Sequence, residues 1–295
     1  MHARTILLAA SALLLAASPV LAQSVPSSGS KQALVRVVNH WDSSCDASTR
    51  WSWDNMVDAW YDEIRDTRST PKGHGSRAWI GDGFYKNGSI VDSDFTDSDR
   101  VSWGRDHWND RADDVDACFL ALHGSHWGSG DENYLGSVRV DESGDGNCST
   151  NQDHMRLGDG DLEFFHLSSC HSMCLQNWDE WFDTFSGLHQ IDGWYGIMWI
   201  STVYNDNYED FADDAFNSVG MAYAWIDNHY NTGTWTFGHD HCPVAMAVGF
   251  SAGSVTTRIA NEQYDSVYSD PVGGQHRLFY AIEGCDPKDH GALNP

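Results

Sequence analysis

Apolar side chains along this chain fall into short unbroken runs and longer stretches of helical spacing. Leu34 to Val38 is a compact, β-branched run and predicts a first strand. Between Trp53 and Arg65, apolar residues recur at Trp53, Met56, Val57, Trp60, Tyr61 and Ile64, the spacing of a helix whose early Asp54 and Asp58 suit its dipole. A loop-rich stretch follows, with a short strand expected around Ala78 to Tyr85. Ala117 to Leu122 is then uniformly non-polar and is stopped by His123-Gly124, which predicts a central parallel strand covered on both faces. After more loop, with a small hairpin expected at Leu135 to Val140, Leu162 to Leu167 predicts a second such strand, ending in Ser168-Ser169-Cys170. Helical spacing returns over 174 to 185, Ile191 to Ile200 predicts a strand, and Tyr208 to Tyr230 predicts one long helix. Val244 to Val255 and Arg277 to Ile282 read as extended segments.

Strands alternating with helices predict an α/β fold with a largely parallel sheet. Ligands of such sheets bind beyond the carboxyl ends of the strands, where His123 and Cys170 are both expected. The first residues describe transport rather than structure. Arg4, the apolar run Ile6 to Ala17, and Val20-Leu21-Ala22 before Gln23 have the layout of a signal peptide over 1–22. Residues 23–33, polar and serine-rich, read as a flexible leader, and 34–295 as a single domain. A secreted or periplasmic protein with no membrane span is therefore expected. The net charge of -26 argues against nucleic acid or anionic membranes as partners. Export permits disulfides, but the seven cysteines leave at least one thiol without an intramolecular partner.

A thiol becomes a useful nucleophile when its anion is stabilised and a base can move the proton to the leaving group. A helix beginning near Cys174 would supply the first condition to Cys170, and a histidine beyond the neighbouring strand the second. Gly124 lets its backbone N–H approach a substrate carbonyl, and with the N–H of Cys170 it can form an oxyanion hole. FLALHGS at 119–125 and EFFHLSSCHS at 163–172 resemble the two signature blocks of the caspase-like cysteine peptidases, and are most similar to those of metacaspases. The resemblance implies a caspase-like three-layer sandwich with a mostly parallel central sheet flanked by helices. It also implies a His123/Cys170 dyad cleaving a peptide or protein substrate through a thioester, with no cofactor required. Ser168 stands where metacaspases carry an aspartate of the specificity pocket, and Met173 where they carry glycine, so a preference for basic side chains does not carry over.

Other chemistry competes. His123, His126, His166, His171, His239 and His241 offer imidazoles for a zinc-dependent hydrolase, although no H-E-x-x-H occurs. Asp141, Ser143 and Asp145 with Gly146 resemble the start of a calcium loop, but Gln152 stands where the bidentate glutamate belongs, so calcium would have a structural role at most. Asp92, Asp94, Asp97 and Asp99 form a second acidic group. Fourteen tryptophans also admit a non-catalytic binding module on a caspase-like fold, which would require coplanar exposed rings and a blocked Cys170.

Overall fold

A computed structural model of the chain describes residues 31–41, 47–65, 79–124, 150, 152–217, 219–232, 238–271, 273–274 and 276–294. The expected signal peptide, most of the leader, the hairpin at Leu135 to Val140, His126, and the acidic turn with Asp141, Ser143 and Asp145 lie outside the described residues.

The strands are β1 (Gln32–Val37), β2 (Ile80–Lys86), β3 (Ala117–Ala121), β4 (Phe164–Ser168), β5 (Gln190–Trp194), β6 (Pro243–Gly249) and β7 (His276–Ala281). They form one seven-stranded sheet in the order β2-β1-β3-β4-β5-β6-β7. The pairs from β2 through to β5 are parallel, and β6 and β7 are added antiparallel. The helices are α1 (Trp53–Ile64), α2 (Trp178–Thr184), α3 (Asn205–Asn217), α4 (Met221–His229) and α5 (Ala252–Asn261). The protein is thus a mixed α/β fold with a mostly parallel sheet, as the alternation of strands and helices predicts. Among the described residues no helix is long and apolar enough to cross a membrane.

Alternation along β4 shows how the sheet is covered. His166 points to a layer containing Trp60 of α1, Phe211 of α3 and Trp225 of α4, while Phe165, one residue earlier, meets Phe95 and Trp181 of α2 on the other face. Every residue of β3 and β4 is buried. That double burial is why these strands lack polar alternation.

Three elements differ from the sequence reading. The long helix expected over 208–230 is two helices. Gly220 breaks it, because a Cβ there would come within 2.5 Å of the Ala260 carbonyl carbon, and the Met221 amide turns to the Glu262 carbonyl at 2.8 Å. The extended segment expected over 244–255 ends at Gly249 and becomes α5. Ser251 and Ser254 cap that helix reciprocally, which compensates for its poor helix formers Gly253, Thr256 and Thr257. The strand expected over 191–200 stops at Trp194, since β6 ends its pairing at the same point, Trp194 opposite Pro243.

A disulfide joins Cys242 to Cys285 across 43 residues, and a chain-entropy model assigns such a loop roughly 4 kcal/mol. Among the described residues Cys118, Cys170 and Cys174 are free thiols.

Charge is also drawn inward. Burial pushes the Asp106 carboxyl up to about 7 and those of Asp161 and Asp82 up to about 6. A carboxyl raised on folding stabilises the native state while protonated, below its unfolded value of roughly 4, and that stabilisation is lost as pH rises through the folded value. Asp270, held down by its hydrogen bond with His189, acts in the opposite sense, and so do the imidazoles of His229 and His241, which burial pushes down to about 3. The raised carboxyls, among them also Glu163 at about 10 and Asp113, outnumber these, so thermal stability is expected to be highest at mildly acidic pH and to fall between about 5 and 7. Calorimetry across that interval in the presence of a chelator checks this, and a melting temperature that rises with pH would contradict it.

Candidate active site

β3 and β4 lie side by side and parallel, with Ala121 paired to Ser168 at their carboxyl ends. The Leu122 amide extends the ladder by one bond, donating to the Ser168 carbonyl at 3.3 Å. The two chains then leave the sheet together, so His123 and Cys170, each two residues beyond those partners, emerge at the same rim. Strand spacing puts their backbones on the order of 5 Å apart at that level. Gly124 confirms the closeness, since a Cβ added there would lie 1.8 Å from the Cys170 carbonyl oxygen and 2.4 Å from Ser169 Oγ. No side chain fits at this position. The structure therefore brings His123, Gly124 and Cys170 together.

His123 is held from three sides. Its ring packs against Trp41 at 4.6 Å and edge-on to Trp53 at 5.4 Å between centroids. Nε2 lies 2.8 Å from the Ser48 carbonyl oxygen, which can only accept, so Nε2 carries the proton and Nδ1 keeps the lone pair of a base. Ser48 belongs to the connection between β1 and α1. The sequence offered no orienting partner for the imidazole, because a main-chain carbonyl leaves no signature in side-chain identity.

Cys170 is half-buried, and its Sγ lies 3.7 Å from the Met198 carbonyl oxygen. Burial pushes its thiol up to about 11. The expected help from a helix beginning near Cys174 is absent: a 3₁₀ turn occupies Leu175–Asn177 and α2 starts only at Trp178. Cys170 thus rests as a thiol rather than as a standing thiolate.

Ser168 is completely buried. Its hydroxyl meets Tyr208 Oη at 2.7 Å and accepts from Trp53 Nε1 at 2.8 Å. Tyr208 also lines a small cleft of about 10 Å³, with Met56, Trp199, Tyr204, His229 and His241 around it. Burial pushes the imidazoles of His229 and His241 down to about 3, and the cleft carries no charge at neutral pH.

The remaining candidates separate. His166 is in the core, bound to Asp192 Oδ2 at 2.8 Å through Nδ1 and to Tyr264 Oη at 2.8 Å through Nε2. His241 Nε2 accepts from the Trp199 amide. His171 lies among metal-type donors with Cys174 and His290, a residue the sequence reading did not select. Among the second acidic group, Asp94 is tied to Arg36 and Arg111, whereas Asp97 lies with His107 and Asp159. Among the described residues the exposed tryptophans are Trp51, which stacks on His40, and Trp108.

The chain belongs to the family described as "Domain of unknown function (DUF6345)", whose model matches residues 74–284. A search among curated proteins finds no match.

Proposed function

We propose that this family member is a secreted cysteine endopeptidase, or a related acyl-transfer hydrolase, on a caspase-like sandwich. The observation that carries the reading is the emergence of an oriented imidazole and a free thiol from the paired ends of two parallel strands. The strand order, with the antiparallel pair added after β5, and the two resembling sequence blocks support it further. The disulfide is compatible with export.

In this reading His123 Nδ1 takes the Cys170 proton as the sulfur attacks the scissile carbonyl. The amides of Gly124 and Cys170 supply the oxyanion hole; among the described residues neither donates to another backbone carbonyl. The protonated imidazole then delivers its proton to the leaving amine, and water releases the thioester by the reverse sequence. A thiol held at about 11 is activated only as the proton moves, so attack and proton transfer are coupled. The neighbouring cleft, at about 10 Å³, has room for about one water molecule and not for a substrate side chain. Ser168, in place of an aspartate, leaves no carboxylate to attract a basic side chain, so an uncharged one is expected.

The zinc-hydrolase alternative has less support, because among the described residues His123, His166 and His241 do not converge with other metal-type donors. A binding module has less again, with Cys170 a free thiol rather than one blocked in a bridge.

The test is covalent labelling of the folded protein with a peptide acyloxymethyl ketone bearing an uncharged terminal side chain, followed by mass-spectrometric mapping. The adduct is expected on Cys170 and is expected to vanish in His123→Ala. Modification of Cys118 or Cys174 instead, or none, would end the proposal.

A further inference from the structure

The turn that carries Cys170 continues into a second group of donors that the proposed reaction does not use. His171 Nδ1, Cys174 Sγ and His290 Nε2 face one another, with separations of 3.0 Å between the nitrogens and of 3.8 Å and 3.4 Å from sulfur to His171 and His290. Zinc–nitrogen bonds of about 2.05 Å and a zinc–sulfur bond of about 2.3 Å at tetrahedral angles give edges of about 3.3 Å and about 3.6 Å. The triangle already has the size of one face of an N₂S tetrahedron, to within a few tenths of an ångström.

The surroundings prepare the donors. Asp289 Oδ2 accepts from His171 Nε2 at 2.9 Å, which fixes the proton on that nitrogen and leaves Nδ1 its lone pair. Carboxylate, imidazole and metal in line is the usual outer support of a histidine ligand. The other Asp289 oxygen accepts from the Ile197 amide at 3.2 Å, so the carboxylate is itself held. Tyr195 stacks on His290 at 4.9 Å and sets its plane. His171 adopts a left-handed backbone (φ 57°), uncommon outside glycine, with its amide bonded to the Gly196 carbonyl at 2.8 Å. Gly196, also left-handed (φ 83°), leaves room for the C-terminal segment: a Cβ there would lie 2.6 Å from Pro287 and 3.4 Å from His290. Two departures from ordinary backbone choice thus bring the turn after β4 and the C-terminal segment together at this one point.

A thiol–imidazole hydrogen-bond cluster is the simpler account of the contacts. It does not require three soft or borderline donors to converge at bonding separations with one outer carboxylate, whereas a d¹⁰ divalent ion does.

We propose that His171, Cys174 and His290 bind a zinc ion, with Asp289 as the orienting carboxylate and an exchangeable water in the fourth position, and that the ion pins the C-terminal segment 287–290 to the turn bearing Cys170. This site does not depend on the peptidase reading.

Cobalt(II) titration of the full mature chain, under reducing conditions and followed by absorption, tests it without reference to activity. The expected result is one equivalent bound, with intense tetrahedral d–d bands and a near-ultraviolet thiolate charge-transfer band, all displaced by zinc. Cys174→Ser should remove the charge-transfer band, and His290→Ala, on the half-buried tail where misfolding is a smaller risk, should weaken binding at least about 100-fold. Asp289→Asn should weaken it by about 10- to 100-fold. Cys170→Ser should leave the spectrum unchanged. Absence of saturable binding, a band that survives either Cys174→Ser or His290→Ala, or a band that follows Cys170 would overturn the site.

Discussion

Cys170→Ala is expected to abolish hydrolysis of an unfolded protein substrate, and His123→Ala to reduce it on the order of 10³- to 10⁴-fold. The magnitude follows from the resting state of the sulfur. With burial pushing the thiol up to about 11, only a minute fraction is thiolate at neutral pH, and in the proposed mechanism the imidazole has to supply almost all the activation. For the same reason the two losses should not add: in the double variant neither partner has anything to exchange a proton with, and activity should match that of Cys170→Ala. Cys118→Ala, near the start of β3 and away from the rim, should leave the specific activity of the folded protein unchanged. Release of acid-soluble peptides, with far-ultraviolet circular dichroism to verify folding, measures all four. Additive losses from the two site variants would mean that His123 and Cys170 do not act as a unit.

The parts of this site that could be read from sequence are those encoded by side-chain identity at strand ends. Ala117 to Leu122 and Leu162 to Leu167 have no polar interruptions because both faces are covered, and the residues that end them are the chemically distinctive His123 and Cys170. The Ser48 carbonyl could not be read, since any residue would present the same group. The break at Gly220 was hidden because apolar periodicity runs through it, and its cause, the Ala260 carbonyl, lies on another helix. α5 was hidden by weak propensity that its serine cap overrides. The donor cluster was half legible. His171 and Cys174 are four and one residues before the Leu175 turn and could be noticed as neighbours, but His290 joins them from 116 residues away, through contacts made by Gly196 and the Cys242–Cys285 link.

Arg36 shows the same limit at the level of the core, and it yields the largest expected effect on stability. The run Leu34 to Val38 reads as a uniformly apolar strand apart from this residue, and in the structure Arg36 is fully buried in β1. Its guanidinium meets the equally buried Asp94, whose other oxygen forms an ion pair with Arg111 at 2.9 Å, and it stacks on Tyr85 at 4.8 Å. Burial lowers the Arg36 pKa and raises that of Asp94, so the cost of removing both charges from water exceeds what their mutual attraction returns. The pair is thus a poor source of net stability but a severe liability when halved. Asp94→Ala strands a guanidinium in the core and is expected to cost about 3–5 kcal/mol, a large part of the 5–15 kcal/mol typical of a domain. Replacing both partners, as Arg36→Met with Asp94→Leu, should recover most of that loss because no fully buried charge is left unpaired, and Arg111, which also loses Asp94, is partly open to solvent. Urea unfolding of the three proteins distinguishes the cases through their midpoints at constant slope. A shift for Asp94→Ala of less than about 1 kcal/mol would mean that Arg36 finds another anion or reaches water, and that the second face of the sheet is less dry than its packing implies.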